Sequence, residues 1–240
     1  MRVRFNRLLF AILVGTTIAA AADLPPMGPP IKLFDGKNLN HFDIYVRDRP
    51  LNEDPNKVFQ IQDGVVRASG VEYGYIITKE EYGDYYLRME FKWGEATHEP
   101  RKDKARDSGI LYHVHGENKI WPSSIEYQFI EGGTGDILVV NGPSLTVKGE
   151  RKSKGRFDRF GKGTWKDVAG YRDPNGDPEK PRGKWNVVEM ISDGDHVKYW
   201  LNGKVVNEGT ESTVTKGKLL FQSEGAEVFF RKIELRPLKK

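Results

Sequence analysis

The 240-residue chain contains no cysteine. No disulfide framework can staple it and no lipobox can anchor it, so its stability must come from a packed core. An exported protein without cysteine suits a bacterial periplasm or cell surface better than a small animal secreted domain. Also missing are an internal repeat, a convincing amphipathic helix longer than two turns, and an apolar run of the ~20 residues a membrane-spanning helix needs. Net positive charge is small once its position is considered. Arg2, Arg4 and Arg7 lie in a segment expected to be removed, and without them the formal charge falls from +4 to +1. The remaining basic residues are interspersed with acids, which gives no basis for a nucleic-acid partner.

What is present is an ordinary folded composition, 38% hydrophobic and 30% charged, which is neither disordered nor fibrous. Residues 1–22 combine a basic start, an apolar run from Leu8 to Ile18 and the small residues Ala20-Ala21-Ala22. This is the pattern of a cleaved secretory signal peptide, so the expected location is periplasmic or secreted, with no stable membrane anchor after cleavage. Residues 23–30 carry four prolines and read as a linker. Residues 31–240 then read as one domain of strand after strand. Tyr85, Leu87, Met89, Phe91 and Trp93 alternate with polar or amphipathic residues at a period of two, which marks a strand with one face buried. Asn202-Gly203 is the pair a two-residue type I′ hairpin prefers, because both positions need positive φ. The pattern predicts an all-β, antiparallel domain of two packed sheets. A long charged stretch, roughly 149–184, exceeds the length usual for a connection and is either a solvated insertion or a flap ordered by Trp165 and Tyr171.

The chemistry concentrates between Asp107 and Asp136. Two expected strands, Gly109 to Val114 and Ser124 to Ile130, are joined by a polar loop holding Trp121. Alternation would put His113 and His115 on one face, and Glu126 beside Gln128. His-x-His on a strand can present two rings to one ion, so His113, His115 and Glu126 form a candidate metal set, and a divalent ion is the one cofactor these residues leave open. Glu126-x-Gln128-x-x-Glu131 looks like the E-x-D-x-x-E signature of family 16 glycoside hydrolases, provided a bulge returns Glu131 to the face of Glu126. Its central Asp is Gln here, which departs from a plain retaining pair. The candidate catalytic residues are therefore Glu126, His113 and Glu131. Gln128, Asp107, Trp121, His115 and Asp136 are the candidate substrate contacts, with Trp121 a platform for a sugar ring.

Leu33-Phe-Asp-Gly-Lys-Asn-Leu39, Asp107-Ser-Gly109, Glu126-x-Gln128, Trp185-Asn186, Leu201-Asn-Gly203 and Val228-Phe-Phe-Arg-Lys-Ile233 resemble, in order, the motifs of the 3-keto-disaccharide hydrolase domain family. The likeness runs from about Ile31 to Leu238. It implies a concanavalin A-like jelly-roll β-sandwich and a carbohydrate substrate, a glycoside already oxidised to a ketone at sugar C3. Such a ketone acidifies the C2 proton, so a base such as Glu126 or His113 could start an elimination that hydration completes. Gln128 or a cation would then stabilise the enolate. Two other readings stand beside it: a non-catalytic carbohydrate-binding module, and a family 16-like glucanase acting on unoxidised glycans through Glu126 and Glu131.

Overall fold

The computed structural model describes residues 24–240, and the expected signal peptide lies outside them. No helix occurs among the described residues. Strands are numbered in chain order. One sheet of eight runs β15 (Lys204–Gly209), β14 (His196–Leu201), β13 (Asn186–Asp193), β6 (Tyr85–Thr97), β17 (Ala226–Pro237), β4 (Val65–Ala68) and β3 (Phe59–Gln62), with β1 (Ile31–Phe34) also paired to β17. The second, of seven, runs β12 (Gly155–Phe157), β9 (Ile137–Val140), β8 (Ser123–Ile130), β7 (Asp107–His115), β16 (Lys218–Ser223), β5 (Gly74–Thr78) and β2 (Phe42–Val46). A small ribbon of β10 (Leu145–Val147) and β11 (Glu150–Lys152) stands apart. All of these pairings are antiparallel.

The alternation in β6 is reproduced: Leu87, Met89, Phe91 and Trp93 are buried between the sheets. Phe91 stacks on Phe129 of β8 with ring centroids 4.3 Å apart, and Tyr127 stacks on Tyr199 of β14 at 4.2 Å. These contacts tie the two sheets face to face, and large aromatic pairs dominate such cores. Asn202 and Gly203 both take positive φ, as the expected β14–β15 hairpin requires. The residues before Ile31 are not free of the domain, because Met27 bridges Leu238 and the Gly28 amide donates to the Pro237 carbonyl.

The seven-stranded sheet has a second apolar layer on its outer face. Tyr75, Ile77, Leu111, Val114 and Leu220 form it, and Ile120 and Trp121 of the β7–β8 loop pack on top. This face is therefore covered along one side and polar along the other.

Candidate functional site

Register assembles the polar side. Gly109 of β7 lies opposite Gln128 of β8, and Leu111 opposite Glu126. On the other flank Asp107 bridges Glu224, just past β16, while Gln222 pairs with Tyr75 of β5. Residues paired across a sheet share its face, so Glu126, Gln128, Asp107, Glu224 and Gln222 ring the glycine. Gly109 has to be glycine for this arrangement: a Cβ there would sit 2.4 Å from Glu126 Oε1 and 2.7 Å from Gln222 Oε1. Glu126 and Gln222 are 4% and 1% exposed, and the Oε1 of each is buried without a donor. Buried acceptors without a donor cost free energy, and a proton on the Glu126 carboxyl would offset that cost.

Burial, then the Asp107 charge, push the Glu126 carboxyl well above the usual carboxylate range, against the pull of Arg156 and of the Gln222 side-chain amide. Glu224 is raised for the same reasons, burial first and then Asp107 and Glu126, while Arg101 and Arg47 oppose the shift. Asp107 is pushed up to about 6, chiefly by burial. It is the best compensated of the three: Gln128 Nε2 donates to it and Arg101 lies 3.3 Å away. Arg101 continues to Asp167 at 3.1 Å. Arg156 donates to Gln128 Oε1 at 3.3 Å and to Asp136 at 3.1 Å.

Several expected residues sit elsewhere. His113 and His115 do not share a face, because β7 bulges between Tyr112 and His115 and His113 takes φ 50°. The His113 ring turns into the core, where Nδ1–H donates to the Val214 carbonyl at 3.0 Å and Nε2 lies 3.2 Å from Ser192 Oγ. His115 is exposed at the strand end. The proposed His113, His115 and Glu126 set therefore does not converge, and among the described residues no group of three or more His, Asp or Glu is placed to hold a metal ion. His113 as a base is corrected for the same reason: both ring nitrogens are engaged inside the core.

Glu131 is corrected too. No bulge returns it to the face of Glu126. Its carboxylate is bound by Arg106 Nη1 at 3.0 Å, the Arg106 amide at 3.0 Å and the Gly170 amide at 2.8 Å. Asp136 is fully buried, and Lys162, Arg156 and the Arg159 amide take up its carboxylate, so it anchors the insertion and leaves no oxygen for a sugar. Gln128 Nε2 is likewise spent on Asp107 and the Ser108 carbonyl. Trp121 is half-buried and stacks on Tyr73 with centroids 6.1 Å apart, at the rim of the same face. Residues 149–184 are ordered by ion pairs, among them Arg159 to Asp173 at 2.7 Å, and Trp165 Nε1 donates to the Glu131 carbonyl.

Sequence reasoning missed Gln222, Glu224, Arg101 and Arg156. The first two were within reach: Leu220, Gln222 and Glu224 alternate in phase, which places them on one face of an expected strand.

The position of His113 gives a prediction. Burial lowers its pKa from 6.5 to about 4. The unfolded chain therefore binds this proton first as pH falls, so the contribution to stability is complete above about pH 6.5 and is lost on acidification towards pH 4, about 3 kcal/mol in all. Asp107 works in the opposite sense, since its raised carboxyl stabilises the acid side and loses that contribution as pH rises through about 6. Urea unfolding of wild type and His113→Asn at pH 4.5 and pH 7.5 isolates the histidine. The stability gap between the two proteins should narrow at the lower pH; a gap independent of pH would contradict the assignment.

The molecule is a jelly-roll β-sandwich whose outer sheet face holds buried carboxyls around Gly109 beside an aromatic rim. The model of a 3-keto-alpha-glucoside-1,2-lyase-like domain matches residues 29–236, and the chain belongs to that family. No curated relative matches it. Among solved structures, a provisionally named glycosyl hydrolase from Parabacteroides distasonis ATCC 8503 aligns with a TM-score of 0.58 at 23% identity, covering 88% of this chain and 94% of that one. A second such structure from the same organism gives 0.55 at 23% identity, over 88% and 100%. A native glycosidic hydrolase gives 0.52 at 9% identity, over 90% and 99%. At these identities the likeness establishes the fold.

Proposed function

We propose that the chain is an exported enzyme that cleaves 3-keto-glycosides by C2 deprotonation, elimination at C1 and hydration, with Glu126 at the centre of its site. The observation that carries this is the buried Glu126 carboxyl, packed with Gln222 over Gly109 on the sheet face that also holds Asp107 and Glu224. Burial favours the protonated form of this carboxyl, which can give its proton to a leaving oxygen. Family membership supports the keto substrate. Elimination also needs positive charge near the ketone oxygen as the enolate forms. The Arg156 guanidinium, 32% exposed and aligned by Asp136 and Gln128, is better disposed for that than Gln128, whose amide nitrogen is already engaged.

The glucanase reading needs Glu131 as partner, and Glu131 is held by Arg106. Aglycone release from a 3-keto-glucoside, compared with its unoxidised parent, tests the proposal. Turnover of the keto form alone is expected. Equal cleavage of both would return the glucanase reading, and sugar binding without turnover of either would make the chain a binding module.

A further inference from the structure

We propose that Asp167, carried by the long charged insertion, is a positioning residue of this site: it holds the Arg101 guanidinium against Asp107 and, through Asp107, fixes Gln128 and Arg156. The catalytic part of this rests on the enzyme reading above, and no part of it depends on which carboxyl moves a proton. Arg101 stands in the loop between β6 and β7, among the exposed residues Lys102, Asp103 and Lys104. Its Nη1 donates to Asp167 Oδ2 at 3.1 Å, and its Nη2 lies 3.1 Å from Asp167 Oδ1. Nη2 is also shared with the Ala105 carbonyl at 2.7 Å and with Asp107 Oδ2 at 3.3 Å. Of these partners Asp167 alone engages both terminal nitrogens, and a two-point fork fixes the plane of a guanidinium where a single contact does not. The Ala105 amide donates to the same carboxylate at 3.2 Å, and the Ala169 amide donates to the Asp103 carbonyl at 3.2 Å, so insertion and loop are tied at two places. Gly225 leaves room for the arginine stem, since a Cβ there would lie 2.6 Å from Arg101 Cγ.

Asp107 passes the constraint on. Its carboxylate accepts from Gln128 Nε2, which leaves Gln128 Oε1 turned to Arg156 Nη2 at 3.3 Å. A protonated Asp107 is itself a donor and no longer holds the amide this way round. Glu126 from β8 and Glu224 from the end of β16 also face Asp107, as does the Tyr73 hydroxyl, and the two carboxyls resist its ionisation by like charge. Arg101 is the largest charge effect on Asp107 and favours the carboxylate, ahead of Arg156; the direct repulsion by Asp167 is smaller. The two influences of Asp167 therefore have opposite signs. Its own charge disfavours the Asp107 carboxylate, while the arginine it holds favours it.

That difference in sign is the test. The Asp107 carboxyl is titrated by carbon NMR in the folded protein, its resonance identified by its loss in Asp107→Asn, beside the pH profile of kcat/KM on the 3-keto-glucoside. Asp167→Ala should raise the Asp107 midpoint by about one pH unit, because Arg101 is released. The acid limb of kcat/KM should move with it, costing up to about tenfold at low pH and leaving the plateau within a few-fold. Asp167→Glu keeps an anion that can reach Arg101 and should restore both. Arg101→Gln alone should raise the midpoint at least as far. Adding Asp167→Ala to Arg101→Gln should then leave the midpoint unchanged or lower it, since only the direct repulsion remains to be removed. A lower Asp107 midpoint in Asp167→Ala would make Asp167 a bystander charge and overturn the proposal. A raised midpoint with an unmoved pH profile would overturn its catalytic part. Absence of turnover in wild type would overturn the enzyme reading, while the titration would still decide whether Asp167 acts through Arg101.

Discussion

Glu126→Gln is expected to lower kcat/KM on a 3-keto-glucoside by roughly 100- to 10,000-fold, the usual worth of a positioned general acid. The fold should be unharmed. Burial favours the neutral carboxyl, and glutamine copies its shape. The new amide also brings a donor next to the Gln222 oxygen, which is buried without one. Thermal melting of the variant at or slightly above wild type is therefore the accompanying result. The loss should depend on the leaving group. An aglycone that departs as a stable anion needs no proton, so a nitrophenyl substrate should recover most of the rate while an alkyl glycoside should not. Equal loss with both substrates would remove Glu126 from the acid role. A marked fall in melting temperature would mean that the buried carboxyl is structural.

On the proposed keto substrate the site would need no paired nucleophile. A retaining glycosidase must stabilise an oxocarbenium-like transition state with a second carboxylate. Elimination from a 3-ketone moves the developing charge onto the ketone oxygen, so the useful groups are a base, an acid and a cation. Carboxyls and a guanidinium are available on this face, where Glu126, Glu224 and Arg156 come from three different strands or strand ends.

The fold was legible because its signal is local. The period-two pattern of β6 and the Asn202-Gly203 turn each specify their element within a few residues. The strands β9 to β12 were less so, being three or four residues long and set among charged residues that mask any alternation. The site was half legible. Glu126, Gln128 and Asp107 follow from one hairpin, whose register the sequence implies. His113 was misplaced because a single bulge inverts a face, and nothing in Tyr112-His113-Val114 announces one. Glu224 lies about a hundred residues from Glu126, and only the pairing of β16 with β7 brings them to one sheet face.

The clearest contrast between the candidate carboxylates is Glu131, for which stability and not turnover should be at stake. Its Arg106 partner is 5% exposed, donates to the Gly94 and Glu95 carbonyls of β6, and so pins the end of one sheet to the other. Removing one member of a buried pair strands the other in low dielectric, at a cost of about 3 to 5 kcal/mol. Arg106→Ala should therefore lower the melting temperature by roughly 6 to 20 °C for a chain of this size. Glu131→Gln should fall in the same direction, since Arg106 then keeps its two carbonyls but loses its counter-ion. Each variant, assayed below its own transition, should turn over the 3-keto substrate within a few-fold of wild type. Arg106→Leu combined with Glu131→Leu should lose less than the sum of its parts, because neither charge is then left unpaired. A Glu131→Gln protein that melts with wild type and has lost activity would reverse the argument, placing Glu131 in the chemistry and restoring the glucanase pair.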